Sequence, residues 1–200
     1  MPHTTLAEPP EGFYYYPDFL SMAEEHALME QIMTLDFSEV RMHGVVAKRR
    51  VAHFGWIYGY ESWRLSRGPQ IPGFLLPLQQ RAAHLLDREP KVLSEALITE
   101  YPPGAVIGWH RDAPMFGPAV LGLSLKSACR FRFRRDHAGR SESRTVMLEP
   151  RSLYILRGPA RVQWQHSIPS TKALRYSITF RTVLNESRWA AAEERAVTKE

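Results

Sequence analysis

From residue 96 to residue 181 the chain is a succession of short runs with strand period: "ALITEY", "VIGWH", "AVLGLSL", "CRFRFRR", "RTVMLEP", "SLYILRG", "VQWQHSI" and "LRYSITFR". Turn chemistry separates them: Pro-Pro-Gly, Pro-Met-Phe-Gly-Pro, Asp-His-Ala-Gly, Glu-Pro-Arg-Ser and Arg-Gly-Pro. Many short strands with turns at such close intervals point to a β-sandwich or a jelly-roll barrel.

The front of the chain reads differently. "PDFLSMAEEHALMEQIMTL" predicts a helix starting at Ser21, with Ala23, Ala27, Leu28, Ile32 and Leu35 at helical spacing. A second helix is predicted from about Pro72 to Asp87, with Pro77 in its first turns, where proline is tolerated. The segment between has little helical period, and "ESRWAAAEERAVTKE" reads as a polar helix or a frayed tail. The class is therefore α+β. We expect one domain over residues 1–200: N-terminal helices and a lid over 13–95, a sheet core over 96–184 and a tail over 185–200.

A chain of 200 residues buries enough surface to need no covalent staples. The single Cys129 excludes an internal disulfide and a multi-cysteine zinc site. The opening "MPHTTLAEPPEG" lacks the basic and apolar regions of a secretion signal, and no apolar run approaches a membrane span. A cytoplasmic, monomeric protein without membrane contact is expected. The net charge of +5 is concentrated in arginine clusters and favours polyanionic partners.

"GWHRD" is where chemistry enters. Residues i and i+2 of a strand point to the same side, so His110 and Asp112 can grip one metal ion together. Two histidines and one carboxylate on one octahedral face leave three positions open, the arrangement of non-haem iron oxygenases. The second histidine should come from a distant strand. Five of the eight histidines precede the strand-rich half and His137 sits in a hairpin turn, which leaves His166 in "VQWQHSIP". A His-x-Asp pair alone is common. What singles this one out is "LRYSITFR", where Arg175, Ser177, Thr179 and Arg181 share a face and the guanidinium fork suits a carboxylate. Without the triad, two exposed arginines on an edge strand would be the ordinary reading.

The set "LITEYPPGAVIGWHRD", "QWQHSIP" and "RYSITFR" resembles the AlkB family of iron- and 2-oxoglutarate-dependent dioxygenases over roughly residues 95–184. The resemblance implies a double-stranded β-helix (jelly-roll) core with the N-terminal helices packed on one side. It implies Fe(II) and 2-oxoglutarate as cofactors, dioxygen as co-reactant, and oxidative removal of alkyl groups from nucleobases in DNA or RNA. Carried onto this chain, His110, Asp112 and His166 are the iron ligands, and the Tyr101 hydroxyl helps hold 2-oxoglutarate. Arg175 takes its distal carboxylate and Arg181 lies near its iron-side carboxylate. Thr99 and Ser177 stand where the family has asparagines, with shorter reach. Pro114 stands where some DNA-repairing members carry an acidic base contact, so substrate choice is not carried over.

"KRRVAHFGWIYGY" is the candidate lid. Phe54, Trp56, Tyr58 and Tyr60 alternate, and Arg49 and Arg50 precede them; aromatic faces stack flipped bases and cations hold phosphates. Packing of the same aromatics as core is the alternative. In "CRFRFRR" the phenylalanines should fill the barrel and Arg132 and Arg134 form a backbone-binding stripe or a solvated face. Together the two segments are expected to make one basic approach to the iron. Two other functions stay open: the same chemistry on a protein side chain, and a jelly-roll binding module without catalysis.

Overall fold

The strand Arg175–Val183 shows why this half of the chain forms sheets. Tyr176, Ile178 and Phe180 pack to one side into an apolar cluster, while Arg175, Ser177, Thr179 and Arg181 point to the other. Every residue from Arg175 to Arg181 is buried, so both faces are covered. The computed structural model describes residues 8–42, 44–59, 62–137 and 139–197, with side chains for all of these but 42, 137 and 193–197. Tyr60 of the expected aromatic row lies outside the described residues, as do His3 and His43.

Four strands come first: β1 (Phe13–Tyr16), β2 (Ser38–Met42), the long β3 (Val45–Gly59) and β4 (Arg64–Arg67). The core follows as β5 (Glu95–Tyr101), β6 (Ile107–His110), β7 (Phe116–Leu125), β8 (Cys129–His137), β9 (Arg140–Leu148), β10 (Leu153–Leu156), β11 (Gln165–Ile168) and β12 (Arg175–Val183). The larger sheet runs β1-β10-β7-β12-β5-β3-β2, with β4 paired to β3; the smaller runs β6-β11-β8-β9. The eight core strands are thus shared four and four between two sheets, and all pair antiparallel. This is the expected double-stranded β-helix. Tyr101, Val120, Phe131, Phe133, Trp164 and Ile168 fill the space between the sheets.

Two helices cover the outer side of the larger sheet, α1 (Met22–Ile32) and α2 (Leu76–His84). α1 starts where predicted. The Glu24 backbone N–H donates to Ser21 Oγ (3.2 Å) and the Ser21 N–H donates to the Glu24 carboxylate (2.7 Å), a reciprocal cap. Its buried residues are Leu28, Met29 and Ile32, whereas Ala23 and Ala27 are exposed, because only the last turns meet the sheet. In α2, a 3-10 turn at Gly73–Leu75 leads in and Pro77 falls in the first turn as predicted.

The tail is helical, α4 (Glu186–Val197), the first of its two sequence readings, and Trp189 packs against the Trp56 cluster. Two elements depart from the sequence reading. A short helix, α3 (Gly158–Val162), precedes β11, so that strand begins at Gln165 rather than Val162. Most consequentially, β3 is broken by a bulge at Gly55 (φ +75°), whose N–H donates to the Pro69 carbonyl (2.7 Å) and whose carbonyl accepts from the Gly68 N–H (2.7 Å). A Cβ there would sit 2.0 Å from the Ser94 carbonyl oxygen, so only glycine fits. Beyond it the strand leaves β5 and pairs with β4. No helix among the described residues is long and apolar enough to cross a membrane.

Candidate active site

β6 and β11 are neighbours, and their register sets His166 opposite His110. Two histidines 56 positions apart in sequence are thereby brought to a ring-centroid distance of 4.2 Å. The His110 Nδ1–H donates to the Gly108 carbonyl at 2.9 Å, which leaves Nε2 bare. Asp112 is not on the strand, as the i, i+2 argument assumed: β6 ends at His110 and Asp112 belongs to the loop that follows. Its carboxylate still joins the pair, with Oδ2 at 3.7 Å from His166 Nε2.

What fixes that loop is a residue the sequence did not mark. Arg161 of α3 is buried and donates to the carbonyls of Asp112 (3.2 Å), Ala113 (3.0 Å) and Phe116 (3.4 Å). Arg111 adds a bond to the Gln163 carbonyl at 3.1 Å. On the carboxylate side, Arg181 Nε and Nη2 each lie 2.8 Å from Asp112 Oδ1. Its Nη1 donates to both oxygens of Glu95 at 2.9 Å, and Arg181 stacks over Phe116. Glu95 was also unmarked, since it precedes the recognisable strand motif.

These contacts set the charges. Burial alone raises the Asp112 carboxyl, but Arg181, then His166 and His110, outweigh it and hold the group well below the usual carboxylate range. Burial, reinforced by His110, pushes the His166 imidazole down to about 3. Both side chains thus sit in the form a metal ion requires: an anionic oxygen and a neutral nitrogen. Burial lifts the Glu95 carboxyl to about 7 against the pull of Arg181. The donor set of two imidazoles and one carboxylate fits a hard divalent iron ion.

Farther along the same inner face is a buried cation. Arg175 is 1% exposed. Its Nη2 donates to Ser124 Oγ at 2.8 Å and its guanidinium stacks on Tyr101 at 4.7 Å from the ring centroid. Its Nε and Nη1 are buried without a partner. An unpaired buried donor is costly, and more so on a charged group. Tyr101 lies across from Arg175 and Thr99 across from Ser177 in the β5–β12 pairing, and the Tyr101 hydroxyl is 3.4 Å from Ser177 Oγ. A carboxylate ligand would satisfy the bare end of Arg175, so this pocket fits 2-oxoglutarate. Ser124, inside the apolar run "AVLGLSL", is a member the sequence reading missed.

The expected substrate residues are scattered. Arg49 and Arg50 point to opposite sides of β3. Arg49 donates to the Val106 carbonyl (3.3 Å), while Arg50 turns to the helix side and pairs with Glu100 at 2.6 Å. Phe54 packs against the helices. Past the bulge, Trp56 is 3% exposed and clusters with Tyr58, Leu65 and Phe116, under a stacked Arg67. Arg132 and Arg134 point away from the barrel, because Phe131 and Phe133 take the inner positions. The single basic, aromatic approach is therefore not what the fold builds. A cavity of about 390 Å³ does open beside the cluster, lined by Arg41, Val51, His53, Tyr58 and Ser62 among others. Burial and then the nearby Arg181 lower His53 to about 4, and its Nδ1 is buried without a partner.

A jelly roll that gathers two imidazoles and a carboxylate beside a buried arginine has the build of a non-haem iron oxygenase. The chain belongs to the 2OG-Fe(II) oxygenase superfamily, whose model matches residues 12–181. Within it the chain is AlkB-like, and iron(II) and 2-oxoglutarate follow as its cofactors. The alkylated DNA repair protein ALKBH8 homolog of Arabidopsis thaliana is 28% identical over 184 residues, spanning 80% of this chain and 51% of that protein. The "Probable RNA/DNA demethylase ALKBH6" of Danio rerio is 27% identical over 173 residues, spanning 82% and 71%. The mitochondrial alpha-ketoglutarate-dependent dioxygenase alkB homolog 7 of Bos taurus is 32% identical over 156 residues, spanning 76% and 65%. This chain thus spans about half the length of the Arabidopsis relative. The solved structure of OsALKBH1 superposes with a TM-score of 0.70 over 88% of this chain and 99% of that one, at 15% identity, a likeness of fold.

Proposed function

We propose that this chain oxidatively removes alkyl groups from the nitrogens of nucleobases in DNA or RNA. The observation that carries the cosubstrate half is the bare Nε and Nη1 of Arg175, a fully buried charge with no carboxylate partner among the described residues. The nucleic-acid half rests on the names of the Arabidopsis and Danio relatives, a DNA repair protein homolog and a probable RNA/DNA demethylase, and on the net charge of +5.

In this reading His110, Asp112 and His166 hold iron(II). With 2-oxoglutarate, the metal supplies the oxidising chemistry that puts one atom of dioxygen on the alkyl carbon and the other into succinate, with release of carbon dioxide. Arg175 and Ser124 take the distal carboxylate, and Tyr101, Ser177 and Thr99 line its pocket. Arg181 acts through Asp112: its fork is divided between Asp112 and Glu95, so it orients the ligand carboxylate. Phe131, packed 5.2 Å from the His166 ring, helps exclude water. The cavity by His53 and Tyr58 receives the target base. A hydroxylated N-methyl group then leaves the base as formaldehyde.

Incubating a panel of alkylated oligonucleotides with the protein, iron(II), 2-oxoglutarate and air, then digesting to nucleosides for mass spectrometry, tests this. At least one N-alkylated nucleoside should revert to its parent. An unchanged panel, with alkylated or unmodified peptides consuming 2-oxoglutarate instead, sends the same chemistry to a protein side chain.

A further inference from the structure

β8 presents two different rows of side chains. Arg135, in the row with Phe131 and Phe133, is matched by an acid: Glu142 sits opposite it at 3.1 Å and also approaches Arg144. The outward row is Arg130, Arg132 and Arg134, and across from it stand Met147, Thr145 and Ser143 on β9. On the other flank, Ser167 and Gln165 of β11 pair with Arg132 and Arg134. None of these neighbours is charged. Arg132 Nε donates to Ser167 Oγ (3.1 Å) and Arg134 Nε donates to Gln165 Oε1 (2.8 Å). Both guanidinia then lie over one ring, that of Trp109 on β6, at 4.9 and 4.6 Å from its centroid. Neither has a carboxylate within salt-bridge distance among the described residues.

The arrangement holds two charged forks in place through Nε and the ring and leaves both without an acid partner among the described residues. Stacking on Trp109 and the Nε bonds remove much of the rotamer freedom an arginine loses when it binds, so a ligand meets preformed donors. The spacing is that of alternate residues on a strand, roughly 7 Å. A repeating anion with planar, bidentate acceptors suits such a row, and phosphodiesters meet that description. The row also has a route to the chemistry. Trp109 immediately precedes His110 in sequence, and its side chain leaves β6 on the side opposite to His110. β6 is the edge strand of the smaller sheet with β11 between it and the arginine row of β8, so a chain lying on the outer face reaches the His110–Asp112 loop by passing over β11 and β6.

We propose that the outer face of the smaller sheet, built on Trp109, Arg132 and Arg134 with Arg130 beside them, is the docking surface for the single-stranded nucleic acid flanking the target nucleotide. This rests on the nucleic-acid reading above and adds where the strand lies: over the edge of the smaller sheet, not along β3.

The probe is an unmodified single-stranded oligonucleotide, titrated at several salt concentrations against the iron-loaded protein. Arg132→Ala with Arg134→Ala removes two phosphate contacts, so the slope of log affinity against log salt should fall by about 1.4, with weaker binding at low salt. Arg132→Lys with Arg134→Lys keeps the charge but loses the forks, and should restore the slope more than the affinity. Arg88→Ala with Lys91→Ala removes equal charge from the helix layer and should leave the slope nearer wild type. Binding of 2-oxoglutarate reports that each variant is folded. Wild-type binding with an unchanged slope in the alanine pair overturns the surface and leaves the nucleic-acid reading standing. A wild type with no oligonucleotide affinity at low salt overturns both. Loss of binding to phosphatidylserine vesicles in the alanine pair, with oligonucleotide binding untouched, gives the face to a lipid surface and overturns the proposal.

Discussion

At the scale of single residues, Arg175 carries the clearest energetic asymmetry. A charge-assisted hydrogen-bonded pair is worth about 1.5–3 kcal/mol, so Arg175→Ala should raise the 2-oxoglutarate requirement by roughly one to two decades. Titrating 2-oxoglutarate against succinate formation measures this, and Arg175→Lys should recover little, having no fork. 2-Oxoglutarate should also raise the melting temperature of the wild type and not of the alanine variant. An unchanged requirement removes Arg175 from the pocket. His53 makes a second test. Its folded pKa lies near 4, below the unfolded value of 6.5, so the unfolded chain binds the extra proton between them. The stability linked to neutral His53 is whole above 6.5 and is lost as pH falls towards 4. Melting curves at pH 7.5 and pH 4.5 should therefore show a larger loss for the wild type than for His53→Gln. Equal losses would mean that His53 is not held neutral in the fold. His110, Asp112, His166 and Arg175 were singled out by spacing and alternation in the sequence. Arg161, Ser124 and Glu95 were not, because each is defined by what surrounds it: three loop carbonyls, one guanidinium, another guanidinium.

Among the elements, the β3 bulge decides the most. Without it Phe54, Trp56 and Tyr58 would share a face, as their alternation suggests. With it Phe54 goes to the helices and the other two go to the cluster beside Phe116. The alternation was in the sequence; the bulge depends on Pro69 and Ser94, which the chain supplies 14 and 39 positions later. Asp112 teaches the same lesson, since β6 stops two residues before it and its carboxylate is positioned by Arg161 of α3 and Arg181 of β12 instead. Gly55→Ala should cost about 1–3 kcal/mol or more for the left-handed backbone and the clash with Ser94. At this chain length each kcal/mol lowers the melting temperature by roughly 2–4 °C. A melting curve unchanged by the substitution would show that the bulge is not required.

For the whole molecule, strand density left a β-sandwich or a jelly-roll barrel, and the jelly-roll core with its helices on one side was what the resemblance to the AlkB family implied. The distribution of charge did not follow, because composition cannot say which arginines are already paired. Arg50, Arg135 and Arg181 meet carboxylates, Arg161 meets carbonyls, and Arg132 and Arg134 meet a tryptophan. The fold thus places one cation against the Asp112 carboxylate, one buried between Ser124 and Tyr101 and a row on the outside of the smaller sheet. The most direct test of this arrangement is the yield of succinate and formaldehyde from an N-methylated oligonucleotide, compared between the wild type and Asp112→Ala. The wild type should form the two products in equal amounts, and the variant, lacking the anionic ligand, should form neither. An Asp112→Ala protein that turns over at the wild-type rate would contradict the assignment of the site.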